Sequence, residues 1–180
     1  MKILAISGSL RSASLNTMLL KAAARLAPPD VAAELYVGLG DLPLFNPDIE
    51  HTDPPSVAML RTALMESDAV LIASPEYAHG VTAAIKNALD WMVGNMSFVN
   101  MPVALLNASP TSVHAQASLK EIVTVMSAHV VEDACVAVPI RGSGLDENSI
   151  VSDPAISSAI RASIACLIAA VFQLKETEGS

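Results

Sequence analysis

Apolar residues fall into short, mostly continuous runs separated by stretches of helical periodicity along the whole chain. The runs at 2–6 (KILAI), 32–37, 69–74 (AVLIAS), 102–107 and 130–138 are rich in Val, Ile and Leu. Such runs predict parallel strands covered on both faces. Between them, segments 14–26, 55–66, 80–94, 115–129 and 154–174 predict helices. In the third of these, Val81, Ala84, Ile85, Ala88, Leu89 and Met92 form a continuous stripe at helical spacing, with Lys86 and Asp90 opposite. Trp91 sits at the edge of that stripe, either as a core residue or as an anchor for a subunit interface. Strands alternating with helices predict one α/β domain over residues 1–180, a doubly wound parallel sheet of five strands with helices on both faces. The stretch 38–53, which contains LPLFNPD, reads as a long loop within that domain.

Composition narrows the functional classes. Apolar residues make up 52% of the chain and charged ones 16%, which argues against long disordered tracts. The longest apolar run, 162–172, is interrupted by Ser163 and falls short of the roughly 20 residues that a membrane span needs. Apolar helices are therefore expected to be covered by another subunit, with no membrane partner. The apolar stretch at the start is too short for an export signal and reads as a strand, so a cytoplasmic protein is expected. A net charge of −8 argues against nucleic acid. Cys135 and Cys166 lie in apolar surroundings and are expected to be buried small hydrophobes. Neither they nor His51, His79, His114 and His129 have metal-ligand spacing, so no metal is expected.

The chemistry concentrates after the first strand. Residues 7–17 (SGSLRSASLNT) hold five hydroxyls, one amide and one guanidinium immediately before an apolar helix. Open α/β sheets bind ligands at the carboxyl ends of their strands. A helix amino terminus offers free N–H groups and partial positive charge, and Arg11 can chelate phosphate oxygens. Gly8 is the only glycine before Gly38, so neither G-x-G-x-x-G nor G-x-x-x-x-G-K-[ST] is present. A serine-rich loop without lysine suits a terminal monophosphate such as that of FMN. After the third strand, Ser74-Pro75-Glu76-Tyr77-Ala78-His79-Gly80 would lie beside the first loop, with backbone amides and Tyr77 placed to receive a flat ring. His79 is either a substrate contact or a solvated loop residue.

GSLRSASLN and PEYAHGVTAAIKNALDW together resemble the phosphate loop and the P-E-Y-N segment of the NADPH-dependent FMN reductase family, and LPLFNPD resembles a third family segment. The likeness runs from residue 2 to about 110. It implies a flavodoxin-like sheet of order 2-1-3-4-5 and an FMN-dependent enzyme. That enzyme would take hydride from NADPH or NADH and pass electrons to a small acceptor such as a quinone. Ser9, Arg11, Ser14, Leu15, Asn16 and Thr17 would hold the FMN phosphate. Pro75, Glu76, Tyr77 and Gly80 would cradle the rest of the cofactor, and Ser109 would add a hydrogen bond after the fourth strand. No residue is assigned as a catalytic acid, base or nucleophile, because the cofactor carries the redox chemistry. The resemblance further implies a homodimer or homotetramer.

The chain departs from the family pattern at three points: Ala78 replaces asparagine, Thr82-Ala83 replaces Pro-Gly, and NASPTSVHAQ lacks the usual Gly-Gly. Two other readings therefore stand beside the enzyme: a non-enzymatic flavin-binding electron carrier or redox sensor, and a relative that has lost FMN.

Overall fold

The computed structural model describes residues 1–140 and 142–178. Strand β1 (Lys2–Ser7) leads through a polar loop into helix α1 (Leu15–Leu26), and β2 (Ala32–Tyr36) follows. A 3-10 turn (Leu39–Asp41) and one helical turn, α2 (Pro47–Glu50), break up the long loop before α3 (Pro55–Met65). Next come β3 (Ala69–Ala73), α4 (Ala83–Met92), β4 (Pro102–Asn107) and α5 (Val113–Val125). Two short strands, β5 (His129–Val130) and β6 (Val136–Ala137), precede α6 (Glu147–Ser152) and α7 (Pro154–Glu178). All pairings are parallel, and the order β2-β1-β3-β4-β5 is the flavodoxin-like one.

The strand pleat divides the interior into two cores. Ile3, Ala5, Leu71, Ala73, Ala104 and Leu106 pack with α1 and α7 on one face. Leu4, Ile6, Val70, Ile72, Val103 and Leu105 pack with α3, α4 and α5 on the other. Both sides of β1, β3 and β4 are buried, which is why those runs carry no polar alternation. The edge strand β2 and the short strands β5 and β6 are half-exposed.

The expected fifth strand, 130–138, is split. Glu132 and Asp133 bulge out in a 3-10 turn (Glu132–Ala134), and the chain returns to pair with β4 again as β6. In the gap, the Leu105 N–H donates to Cys135 Sγ at 3.4 Å. Both cysteines are half-buried rather than buried. The third expected helix starts later, at Ala83, because residues 77–80 form a tight turn, and α5 lies earlier than expected. Helix α6, capped by Asp146, is an addition.

The apolar run at 162–172 belongs to a helix of 25 residues, long and apolar enough by length and composition to cross a membrane. That corrects the expectation of a shorter segment. Within it, Ile160, Ile164, Leu167 and Val171 are buried against the sheet, while Phe172 stays 57% exposed.

Trp91 resolves as a core residue. It is 3% exposed, its indole N–H donates to the Pro43 carbonyl at 2.7 Å, and its ring meets Phe45 edge-to-face. One turn earlier, Asn87 accepts from Phe45 N and donates to Pro43 O. These two side chains staple the LPLFNPD loop onto α4.

Loop and sheet meet most closely at Gly8. Its N–H donates to Ala73 O at 2.8 Å, and its carbonyl accepts from Thr82 Oγ1 at 2.6 Å. A Cβ at this position would stand 2.2 Å from Ser74 Oγ and 2.6 Å from Ser74 Cβ. Gly8→Ala is therefore expected to lower stability by about 1–3 kcal/mol, the cost of overpacking. Urea unfolding measures it, and an unchanged midpoint would show that the contact is slack.

Candidate functional site

Side-chain hydrogen bonds brace the loop between β1 and α1. Ser14 is the helix cap, its Oγ accepting from Thr17 N at 3.2 Å. The Ser7 and Thr17 hydroxyls are 2.7 Å apart, and the Arg11 N–H reaches Ser9 Oγ at 3.4 Å. The first-turn N–H groups of Leu15 and Asn16 have no acceptor within the helix, as at any helix start.

Next to these groups a cavity of about 290 Å³ opens at the carboxyl ends of β1, β3 and β4. The first loop contributes Ser9, Arg11, Ala13, Ser14, Leu15 and Asn16; the second contributes Ser74, Pro75, Glu76 and Tyr77. Asn107, Ala108, Ser109 and Ser112 close the third side. Most of the buried polar side chains among the described residues surround or back this cavity: Ser7, Ser14, Asn16, Ser74, Thr82, Asn107, Ser109 and Ser112. Such a concentration of buried polarity in an otherwise apolar domain marks a binding site.

The charge at the first loop is unspent. Lys2, Arg25, Arg61, Lys86, Lys120 and Lys175 each pair with a carboxylate, and Arg161 donates to Leu26 O. Among the described residues only the Arg11 and Lys21 side chains lack a partner of this kind, and both belong to the opening loop and helix. Asn16 adds a second open valence. It is 7% exposed, lines the cavity, and its Oδ1 has no hydrogen-bond partner. The nitrogen of the same amide is an N–H donor, the kind of group that an anion takes. A guanidinium, hydroxyls, an amide and free backbone N–H groups form a donor set that fits a phosphate dianion, and FMN fits the site on that chemistry.

The expected site residues are largely brought together. Ser9, Arg11, Ser14, Leu15, Asn16, Pro75, Glu76, Tyr77 and Ser109 all line the cavity. Thr17 and Gly80 do not: Thr17 spends its hydroxyl on Ser7 behind the loop, and Gly80 closes the turn with Tyr77. Asn107 was missed, although a polar residue ending an apolar strand run was visible in PVALLN. Its amide accepts from Ser109 N at 2.9 Å and donates to Ser112 O at 3.2 Å, shaping the third wall.

The second wall carries a perturbed carboxyl group. The Ala115 N–H holds the Glu76 carboxyl below the usual carboxylate range against the opposing effect of burial, aided by the His114 amide and by both imidazoles. Tyr77 stands 61% exposed at the cavity mouth. His79 is exposed but not free: Nδ1 lies 3.2 Å from Glu76 Oε1, and its ring meets His114 edge-to-face.

Comparison with known proteins agrees with this geometry. Residues 1–142 match the family model described as NADPH-dependent FMN reductase. The chain is 36% identical over 134 residues to an NAD(P)H-dependent FMN reductase of Pseudomonas aeruginosa, covering 71% of this chain and 72% of that protein. It is 45% identical over 95 residues to an NADPH:quinone oxidoreductase of Arabidopsis thaliana, covering 50% of this chain and 48% of the relative. Among solved structures, the flavoenzyme NAD(P)H:(acceptor) oxidoreductase of Paracoccus denitrificans superposes with a TM-score of 0.85 at 28% identity, over 96% of this chain and 97% of that one. With residues 1–142 matched by the family model, this chain belongs to the NADPH-dependent FMN reductase family.

Proposed function

We propose that this protein is an FMN-dependent NAD(P)H oxidoreductase that passes electrons to a small acceptor of the quinone class. The observation that carries the reading is the unpaired Arg11 guanidinium lining the same cavity as Asn16, whose buried Oδ1 has no partner, where α1 begins. Bound FMN supplies the hydride and electron transfer; the chain supplies position. Arg11, Ser9, Ser14, Asn16 and the first-turn N–H groups hold the phosphate. Thr17 acts one step back, by fixing Ser7 and donating its N–H to Ser14. Pro75, Glu76 and Tyr77 form the ring wall, with Gly80 closing its turn and Ser109 facing it from the third loop. The names of the relatives support NADPH or NADH as electron source and a quinone-like acceptor.

The same reading includes a homodimer or homotetramer, supported by large apolar side chains left at the surface, among them Leu44, Val93 and Met96. It includes a cytoplasmic setting, where the unpaired Cys135 and Cys166 stay reduced.

Two measurements test it. In anaerobic stopped flow, mixing the FMN-loaded protein with NADPH is expected to bleach the flavin at a rate compatible with turnover. A protein that binds FMN yet is not reduced by NADPH or NADH defeats the enzymatic reading. Arg11→Ala is expected to weaken FMN binding by about 1.5–3 kcal/mol, the worth of hydrogen bonds to a charged group. Titration of FMN fluorescence reads this directly, and an unaltered dissociation constant removes Arg11 from the phosphate site.

A further inference from the structure

The turn after β3 is built from residues that disfavour it. Tyr77 and Gly80 exchange both backbone hydrogen bonds, at 3.2 and 2.9 Å, around a two-residue tip. At that tip Ala78 has φ 50° and His79 φ 60°. A tip with both residues at positive φ is the usual place for Asn-Gly, because a Cβ crowds the backbone there. Ala-His gives the chain no local reason to hold this shape.

Helix α5 has the complementary deficit. Its cap residue, Ser112, makes no side-chain capping bond, although the helix runs for 13 residues. One side chain answers both. Glu76 Oε2 accepts the Ala115 N–H at 2.9 Å, and Oε1 lies 3.2 Å from Nδ1 of His79. The Glu76 side chain is only 12% exposed, although the imidazole it meets is largely exposed. The carboxylate stands where a helix dipole favours negative charge.

We propose that Glu76 is a positioning residue whose carboxylate clamps the two walls of the cavity together, capping α5 from the neighbouring loop while holding the 77–80 turn. This deepens the FMN reading and rests on it for its functional consequence. The wall that would receive the ring, Pro75 to Tyr77, is contiguous with this turn, and Asn107 to Ser112 lead directly into the capped helix. With the clamp closed, the ring wall is aligned before a ligand arrives, so binding does not have to order it. The side chain thus serves the cofactor without needing to touch it.

The test compares E76A, E76Q and H79A. In the apoprotein, E76A is expected to speed amide hydrogen exchange by about tenfold or more at both 77–80 and 113–116 while the central strands stay protected, the signature of local opening. E76Q keeps an oxygen for the Ala115 N–H and is expected to restore slow exchange there. H79A cuts only the Oε1 contact, so exchange should quicken at 77–80 and not at 113–116. In the loaded protein, E76A should raise the FMN dissociation constant about tenfold, equivalent to ~1.4 kcal/mol, and E76Q should recover most of it. Unchanged local exchange in E76A, or equal exchange changes at both segments in H79A, overturns the clamp. If E76A does not fold, the H79A pattern decides. Wild-type protein that binds no FMN would sink the functional reading alone, because the exchange data judge the clamp without cofactor.

Discussion

The contact between the Gly8 backbone and the end of β3 is the constraint on which the site depends. Parallel strands leave their carboxyl ends splayed into separate loops, and a ligand site forms only where two such loops are drawn together. Here the Gly8 N–H donates to Ala73 O and the Gly8 carbonyl accepts from Thr82, so one residue is fixed to both the strand and the helix that follows it. Ser74 then fills the space that a Cβ would take. The loops after β1 and β3 become two sides of one cavity. Helix α1 begins beside them, and its first residues, Leu15 and Asn16, line the cavity.

That arrangement answers an electrostatic difficulty. A chain with net charge −8 repels an anion at long range. Physiological salt screens exposed charges beyond about 8 Å. A guanidinium within about 4 Å of a phosphate, near a protein surface, is worth roughly 4 kcal/mol of attraction per unit charge. Local geometry therefore outweighs the global field, provided that the local cation is not already neutralised. Most described cations are paired with carboxylates, and Arg11 is not. The acidic surface and the anion site are thus compatible because the pairing is selective.

Much of this was legible in the chain because its signals are local. Fully apolar runs gave β1, β3 and β4, since burial on both faces removes alternation. The crowd of hydroxyls around Arg11 gave the phosphate loop, and nine of the eleven candidate residues line one cavity. What stayed hidden depends on partners distant in sequence. The interruption at Glu132–Ala134 is tolerated because β4 accepts a second short strand and Cys135 takes the Leu105 N–H. The family resemblance implied Thr17 as a phosphate ligand, yet its hydroxyl meets that of Ser7, ten residues away. Trp91 had two open readings until the LPLFNPD loop was seen to close over it.

The three departures from the family pattern take on a physical meaning in the same terms. Thr82, standing in place of proline, caps α4 through the Ile85 N–H and holds Gly8, so the substitution adds a tie between the two loops. The third loop lacks glycine, but none of residues 108–112 has positive φ, and Asn107 organises the loop through hydrogen bonds. Glycine is needed where backbone conformation demands it, and this loop makes no such demand. Ala78 is different: at φ 50° it sits where asparagine is among the few tolerated side chains. The strain it adds is local, and the contact placed to oppose it is that of His79 Nδ1 with Glu76 Oε1 at 3.2 Å. Two departures are therefore absorbed by hydrogen bonds, whereas the third shifts a structural burden from the tip of the turn onto the neighbouring Glu76 carboxylate.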